Sequence, residues 1–312
     1  MTIELRYSVE LVNISKSFGK LQVLNNICLK LPSNRITAVL GPSGAGKTTL
    51  LKIIAGLLSP DEGRVIIQGR DMTEVPPWKR PVSMVFQSPA LIPTMKGWEN
   101  ICLPLRRCPK GHVKELAEML GIEHVLNKYP EQMSGGEQQR VAIARALITN
   151  PEILLLDEPF AHLDVVIKES LMRDLTRLFS NLDITVVHVT HDQDEALTMS
   201  DYLAIMCRGK IIEFGKTEEV YARPKTSLGA KFLRHNFVNL NGKIFRFPPE
   251  AVRIDKSGEF SGTVVDCLKK RGYWLLRIKT EDGSVIECAY HRRVTIGSSV
   301  RFNVVRDLLV EL

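Results

Sequence analysis

The sequence predicts two domains, an α/β domain over residues 1–236 and a small β-barrel or β-sandwich over residues 237–312. From Leu5 to about Leu233, short β-branched runs alternate with helical patterns, as is typical of α/β domains. After Asn236 this alternation stops, and strand-like runs are separated by turn residues. A chain of 312 residues can hold both domains, since a domain commonly has about 100–200 residues.

The first domain contains short apolar runs with the character of buried parallel strands, because each is apolar almost throughout. We predict strands at Ile36–Leu40, Ser83–Phe86, Ile153–Leu156, Thr185–Thr190 and Tyr202–Met206. After Pro89 the pattern becomes more helical and is broken by Pro104, Pro109 and Gly111. We therefore expect a helical subdomain inserted at about residues 89–150 of the α/β domain.

The second domain is predicted from four strand-like segments and from turn signals such as Asp282–Gly283. The predicted strands are Gly262–Leu268, Trp274–Ile278, Val285–Ala289 and Val300–Val305. About 75 residues with this pattern favour a small β-barrel or sandwich.

The composition is that of an ordinary globular protein, with 44% hydrophobic and 25% charged residues. Its longest apolar stretch, near Ile153–Leu156, is far shorter than the about 20 residues that cross a bilayer. The first ten residues include Glu4, Arg6 and Glu10 and lack the apolar core of a signal peptide. We therefore expect a cytoplasmic protein that neither spans a membrane nor is exported. The net charge of +7 is compatible with binding to nucleic acid or to an anionic membrane surface. Many soluble proteins have a similar charge, so it does not distinguish these classes.

The cysteines are scattered along the chain without a C-x-x-C pair, at Cys28, Cys102, Cys108, Cys207, Cys267 and Cys288. In a chain of this length, such spacing predicts free thiols in a reducing compartment rather than a disulfide framework or a zinc site. Cys267 and Cys288 could face each other across a small sheet, but the pattern favours buried structural cysteines.

A phosphate-binding loop is the clearest motif of the chain. The pattern G-x-x-x-x-G-K-[ST] is matched in full by Gly41, Pro42, Ser43, Gly44, Ala45, Gly46, Lys47 and Thr48, and Thr49 follows. Glycines allow backbone N–H groups to turn toward phosphate oxygens, and a helix N-terminus adds positive partial charge. Lys47 is expected to reach the β- and γ-phosphates, and the Thr48 hydroxyl to hold Mg²⁺. A predicted strand before the loop and a helix through Leu50–Ala55 argue against a chance glycine-rich turn.

Two carboxylates, Asp157 and Glu158, follow the apolar run Ile153–Leu156. Strand ends in an open parallel sheet meet at the crevice where ligands bind. Successive strand side chains point in opposite directions, so the two carboxylates should have different roles. Asp157 is expected to hold the metal, and Glu158 to orient or deprotonate the attacking water. A solvated acidic turn is the alternative interpretation.

A second anion-binding helix end is predicted at Ser134, Gly135, Gly136 and Glu137. Ser134 can cap a helix that runs through Val141–Leu147, with Glu137 completing a capping box, and the glycines allow close backbone approach. Taken alone, this pattern is also compatible with an ordinary helix start.

With these motifs in order, residues 1–236 resemble the nucleotide-binding domain of ABC transporters, a P-loop NTPase fold. The resemblance implies that the Ser134 segment, that family's signature, contacts the γ-phosphate of ATP bound to a second copy, so that a homodimer holds two ATP molecules. It also implies roles for Phe18 in stacking on adenine, Gln87 in contacting Mg²⁺, His191 in contacting the γ-phosphate and Asp164 in communication across the dimer. The sequence departs from the family at Glu137, where Gln is common, and at His162, where a small residue is usual.

The C-terminal region resembles the OB-like domain of importer ATPases, on the segments Phe247–Ile254 and Gly262–Val265. The resemblance implies integral membrane permease subunits, a separate solute-binding protein and a peripheral location on the inner face of the cell membrane. Leu91–Pro93 and Trp98–Asn100 resemble the subdomain that receives the permease. Relatives usually have Arg at the position of Phe247 and a longer tail. The short tail favours an oxyanion or metal cargo over a sugar or polyamine.

A non-transport ABC ATPase that acts on nucleic acid is the alternative. An OB-like domain can bind single strands through basic and aromatic residues. Suitable residues are Lys269, Lys270, Arg271, Tyr273, Trp274, Arg292 and Arg293. Because the chain lacks a second ATPase unit and a long coiled-coil insertion, the resemblance favours transport, and no nucleic-acid partner is expected.

Overall fold

The computed structural model describes residues 6–240, 243–270 and 272–311. Arg271, one of the basic residues considered above, lies outside these ranges. Contacts between Cα atoms divide the chain into two compact units, one ending at Phe214 and the other beginning at Gly215. The domain boundary at residue 236 stays a prediction, as does the extent of the helical subdomain.

The central element of the first unit is a six-stranded sheet. Its order across the sheet is β10 (Lys210–Lys216), β9 (Tyr202–Cys207), β3 (Ile36–Leu40), β8 (Thr185–Thr190), β7 (Ile153–Asp157) and β6 (Val82–Val85). The pairs β9/β3, β3/β8, β8/β7 and β7/β6 are all parallel. The carboxyl ends of β3, β8, β7 and β6 therefore lie side by side along one edge of the sheet, and the segments that follow them share that edge.

A second sheet of the first unit was not predicted. It has four strands in the order β2 (Leu21–Pro32), β1 (Tyr7–Phe18), β4 (Glu62–Ile67) and β5 (Arg70–Asp71). The pairs β1/β2, β1/β4 and β4/β5 are antiparallel, and β1 and β2 contain register shifts.

Helices of the first unit cover both faces of the parallel sheet. They are α1 (Lys47–Ala55), α2 (Gly97–Cys102), α3 (Lys110–Leu120), α4 (Gly135–Leu147), α5 (Val165–Ser180) and α6 (Gln193–Met199). Side chains of β7 alternate between the two apolar clusters, because strand side chains point to opposite faces. Leu155 packs in the cluster that contains Leu50 of α1, and Leu154 in the cluster that contains Val141 of α4. A strand buried on both faces explains why the run before Asp157 is continuously apolar.

The second unit contains two short helices, α7 (Thr217–Ala222) and α8 (Ser227–Phe232), and two sheets. One sheet has the order β11 (Asn236–Leu240), β12 (Lys243–Phe247) and β18 (Val310–Glu311). The other has the order β13 (Val252–Ile254), β17 (Ser299–Val304), β14 (Phe260–Lys269), β15 (Trp274–Thr280) and β16 (Val285–Tyr290). Their pairings are antiparallel, and this arrangement is compatible with an OB-like domain.

The expectation of free thiols is wrong for one pair of cysteines. Cys102 and Cys108, six residues apart at the end of α2 and before α3, are joined by a disulfide bond. Sequence spacing did not indicate this pair because no C-x-x-C motif marks it. Cys267 and Cys288 are free and do not face each other, since both pair with Leu276 of the strand between them.

None of the helices in the described ranges combines the length and the apolar character that crossing a membrane requires.

Candidate nucleotide site

The loop between β3 and α1 has the backbone shape expected of a phosphate cradle. Gly44 and Gly46 have φ angles of 79° and 102°, which glycine adopts without steric cost. Gly46 is the residue that precedes α1, and Lys47 is the first residue of the helix. The first N–H groups of a helix have no partner within it, so they are available to an anion. This end of α1 can therefore bind phosphate.

Lys47 is buried beneath the loop. Its Nζ donates hydrogen bonds to the carbonyl oxygens of Gly41 at 2.8 Å and Pro42 at 3.1 Å. It also lies 3.6 Å from Oε1 of Glu158. Burial lowers the pKa of Lys47 from its usual value of 10.5, and the Glu158 carboxylate partly offsets this effect. The ammonium group is thus held at the sheet edge, where phosphate oxygens would be bound.

The two candidate metal ligands closest to the loop contact each other. Thr48 donates a hydrogen bond of 2.8 Å from Oγ1 to Oδ1 of Asp157. Burial raises the pKa of the Asp157 carboxyl, against the lowering effect of the Thr48 hydroxyl. A cation at this position would favour the ionised carboxylate. Hydroxyl and carboxylate oxygens are ligands that Mg²⁺ prefers, so these two side chains fit that ion.

Glu158 and His191 form the second part of the cluster. Oε2 of Glu158 lies 3.0 Å from Nδ1 of His191, the residue that follows β8. The backbone of Glu158 has a φ of 45°, which is unusual for a residue other than glycine, and its N–H donates to the carbonyl of Val189. This conformation directs the chain away from the strand while the side chain stays beside Lys47. Such an arrangement can orient a water molecule for attack on phosphorus.

The signature segment forms a capped helix end, and α4 begins directly after Ser134 and runs through Val141–Leu147, as expected. Ser134 precedes α4 and accepts a hydrogen bond at its side chain from the N–H of Glu137. The Glu137 carboxylate accepts from the N–H of Ser134 at 2.7 Å. Its other oxygen lies 2.7 Å from Nε2 of His124, a contact that the sequence did not indicate. Backbone hydrogen bonding from Ser134, together with His124, outweighs partial burial and lowers the pKa of Glu137.

Leu163, just before α5, and Ile167, in the first turn of α5, pack against the signature glycines of the same chain. A Cβ atom at Gly136 would lie 2.8 Å from a methyl group of Ile167, and one at Gly135 would lie 3.3 Å from Leu163. A side chain at position 136 would therefore force Ile167 to shift. Asp164 is exposed and immediately precedes α5.

The structure brings together some of the expected site residues and leaves others apart. Lys47, Thr48, Asp157, Glu158 and His191 are linked by the contacts above. Within the described ranges, no hydrogen bond or ion pair joins this cluster to Phe18, Gln87, Ser134 or Asp164. Phe18 is half exposed and has Lys16 Nζ at 5.9 Å from its ring, and Gln87 is exposed beyond the end of β6.

A phosphate loop after β3, an acidic pair at the end of β7 and a histidine after β8 define a P-loop ATPase domain. Comparisons with known proteins narrow this class. Residues 24–161 match the ABC transporter family. The chain is 43% identical over 263 residues to a molybdate/tungstate import ATP-binding protein, WtpC, of Pyrococcus horikoshii, a match that covers 81% of this chain and 75% of WtpC.

Two further comparisons, with a second curated relative and with a solved structure, indicate the same family. Over 231 residues the chain is 44% identical to a spermidine/putrescine import ATP-binding protein, PotA, of Clostridioides difficile, covering 72% of this chain and 67% of PotA. The dimeric ATP-binding cassette MJ0796, solved in a post-hydrolysis state with ADP and Pi, aligns with a TM-score of 0.60 and 33% identity over 67% of this chain and 98% of the cassette. The chain therefore belongs to the ABC transporter family and is an ATP-hydrolysing subunit of that family.

Proposed function

We propose that the chain is the ATP-hydrolysing subunit of an importer. It works as a homodimer on the cytoplasmic face of the membrane, bound to separate integral membrane permease subunits that receive solute from a separate binding protein. The import functions named for WtpC and PotA support this proposal. The structural observation that supports ATP hydrolysis most directly is that Glu158 contacts both Lys47 and His191 at the carboxyl edge of the parallel sheet.

The chemistry follows from the positions of these groups. Backbone N–H groups at the start of α1 and the Lys47 ammonium bind the phosphates of ATP. Thr48 and Asp157, together with Gln87, would hold Mg²⁺, which would neutralise charge on the phosphate oxygens. Glu158 orients the attacking water and accepts its proton, while His191 donates a hydrogen bond to the γ-phosphate. In this proposal ATP binding closes the dimer and hydrolysis reopens it. The permease changes its conformation with these movements.

The proposed dimer completes the site. The Ser134 end of α4 is not joined to Lys47 within one chain. The N–H groups of Ser134 and Glu137 are bonded within the capping box, so those of Gly135 and Gly136 are assigned to the ATP of a partner. Phe18, half exposed, stacks on adenine, and Asp164 carries the state of one site to the other. The dimeric arrangement of the related cassette MJ0796, with ADP and Pi, supports this assembly.

For the cargo, we propose an oxyanion such as molybdate or tungstate. The import function named for WtpC, to which the chain is 43% identical over 263 residues, supports this cargo. Polyamine import is the second candidate, because the identity to PotA is as high where the chains align.

Hydrolysis and membrane association can be tested together. We expect the purified chain to release phosphate from ATP in the presence of Mg²⁺, and a tagged chain to co-purify with an integral membrane protein in detergent. The matched variant Glu158→Gln should retain the membrane partner but lose turnover. A chain without ATPase activity and without any membrane partner would contradict the proposal.

Uptake measurements distinguish the cargo candidates. Cells of the source organism that lack this chain should lose uptake of radiolabelled molybdate or tungstate and regain it when the chain is restored, but not when Glu158→Gln is supplied. Loss of spermidine uptake with normal oxyanion uptake would favour the polyamine candidate instead.

A further inference from the structure

A buried cluster of charged side chains lies behind His191 and is not part of the catalytic chemistry described above. Glu195 of α6 is its centre, with a side chain that is only 5% exposed. Its Oε1 lies 2.6 Å from Nζ of Lys168 in α5, and its Oε2 accepts a hydrogen bond of 2.5 Å from the hydroxyl of Thr190. Nε2 of His188, which is fully buried in β8, lies 3.3 Å from the same Oε2.

This cluster holds the residues on both sides of His191. Thr190, before it, is bonded to Glu195 through its hydroxyl, which also accepts a hydrogen bond of 3.0 Å from the N–H of Asp192. Asp192, after it, lies 2.6 Å through Oδ2 from Nζ of Lys168. The other carboxylate oxygen of Asp192 caps α6. The backbone that carries His191 is therefore fixed at both neighbours, while the imidazole itself is half exposed and faces Glu158.

The same cluster reaches two other functional segments. The N–H of Lys168 donates to the carbonyl of Asp164, so Lys168 lies one helical turn after the residue expected to communicate across the dimer. The ring of His188 meets the ring of Phe160 edge-on at a centroid distance of 5.7 Å, two residues after Glu158. Glu195 thus connects the segments that carry His191, Asp164 and Glu158.

The neighbouring side chains stabilise the ionised form of the Glu195 carboxylate. Burial alone would raise its pKa, but His188, Lys168 and Thr190 together lower it to about 2. Buried ion pairs add little net stability compared with well-packed apolar residues, because desolvation offsets the attraction. They do impose a definite geometry, since each oxygen needs a partner at a definite position. That property suits a site in which small displacements are costly.

We propose that Glu195 and Lys168 are positioning residues for ATP hydrolysis, which hold His191 against Glu158 and keep the Asp164 segment in register with it. The inference rests on the proposed ATPase function. Neither side chain needs to touch nucleotide. Their effect passes through the backbone at Thr190 and Asp192 and through the first turn of α5.

The test compares kcat, KM and ATP affinity for Glu195→Gln, Lys168→Met and Lys168→Arg in the purified chain. Affinity is measured with a fluorescent ATP analogue, and folding with the melting temperature. Glu195→Gln and Lys168→Met should lower kcat by about 10-fold or more, because displacements of about 1 Å at reacting groups cost up to about 100-fold. ATP affinity should change by less than about 2-fold, since Lys47 and the phosphate loop are untouched. Lys168→Arg should recover most of kcat.

Two comparisons separate positioning from general stability. Asp174→Asn, which breaks the Arg140–Asp174 ion pair elsewhere on α5, should leave kcat within about 2-fold. In a His191→Ala background, Glu195→Gln should add little further loss of kcat, because groups that act as a unit are not additive. If Glu195→Gln fails to fold, Lys168→Met, at the more exposed end of the cluster, tests the same claim.

The outcomes separate the inference from the function on which it rests. A wild-type chain without ATPase activity overturns the proposed function. An active wild type, with normal kcat in Lys168→Met or with full additivity to His191→Ala, overturns the positioning role alone.

Discussion

Nδ1 of His191 lies 3.0 Å from Oε2 of Glu158, although 33 residues separate them in the chain. The contact exists because β7 and β8 are parallel neighbours, with Asp157 paired to Val189. The residues that follow both strands therefore reach the same edge of the sheet. Lys47 reaches this point from the adjacent strand β3.

His191→Ala should reduce kcat for ATP hydrolysis by about 100-fold, because it removes a hydrogen-bond donor from a preorganised phosphate site. Steady-state phosphate release measures this effect. His291→Ala, a change at an exposed histidine of the second unit, is the matched control and should stay near the wild-type rate. Equal losses in both variants would show that His191 has no specific role.

Gly46→Ala should destabilise the chain by at least about 1 kcal/mol. At a φ of 102° an added Cβ would lie 2.8 Å from Leu24 and 2.9 Å from the carbonyl of Val23. Gly44→Ala shares the positive φ but meets nothing within 4 Å, so it should cost less. Urea unfolding of the two variants measures the difference, and equal midpoints would contradict the steric argument.

Glu137→Ala should lower the free energy of unfolding by about 1 kcal/mol, since the capping box at the start of α4 is lost. Glu137→Gln should retain most of this stability, because an amide oxygen can accept from the N–H of Ser134 in place of the carboxylate. Denaturant titration compares the two variants. An equally large loss in Glu137→Gln would show that the charge, paired with His124, matters more than the cap.

Acid stability should depend on Glu195. Its pKa is lowered from 4.5 to about 2 in the folded chain, so the ionised carboxylate contributes stability above about pH 4.5 that is lost as the pH falls toward 2. The contribution is up to about 3 kcal/mol, since one pKa unit is worth about 1.4 kcal/mol. Between pH 5 and pH 3, wild type should therefore lose more stability than Glu195→Gln, as measured by urea unfolding at each pH. The control Glu259→Gln, at an exposed ion pair with Arg306, should follow the wild-type curve.

The sequence predicted those parts of the fold that carry strong local signals. The strands Ile36–Leu40 and Thr185–Thr190 have the predicted bounds, because both are buried on two faces and end at polar motifs. The second sheet was missed. The burial of β1 does not alternate regularly, since register shifts at Ile14 and Lys16 interrupt the period of two.

The candidate site was predicted where short motifs encode it, and missed where tertiary contacts form it. Lys47 and Glu158 are recognisable from their immediate neighbours in the chain. Lys168 and Glu195 are not, because these residues lie 27 positions apart on two different helices and no spacing rule marks their contact. The partner of Glu137 was missed for a similar reason, since His124 approaches from a separate turn of the chain.

The most direct test of the account is the oligomeric state of Glu158→Gln with ATP and Mg²⁺, measured by size-exclusion chromatography with light scattering. If two chains clasp ATP between the loop of Lys47 and the Ser134 helix end, this hydrolysis-deficient variant should shift from monomer to dimer with ATP and remain dimeric, whereas ADP should not cause the shift. Adding Ser134→Arg should abolish dimerisation while leaving ATP binding to the monomer intact. A Glu158→Gln chain that binds ATP yet stays monomeric at every concentration, with or without its membrane partner, would contradict the account.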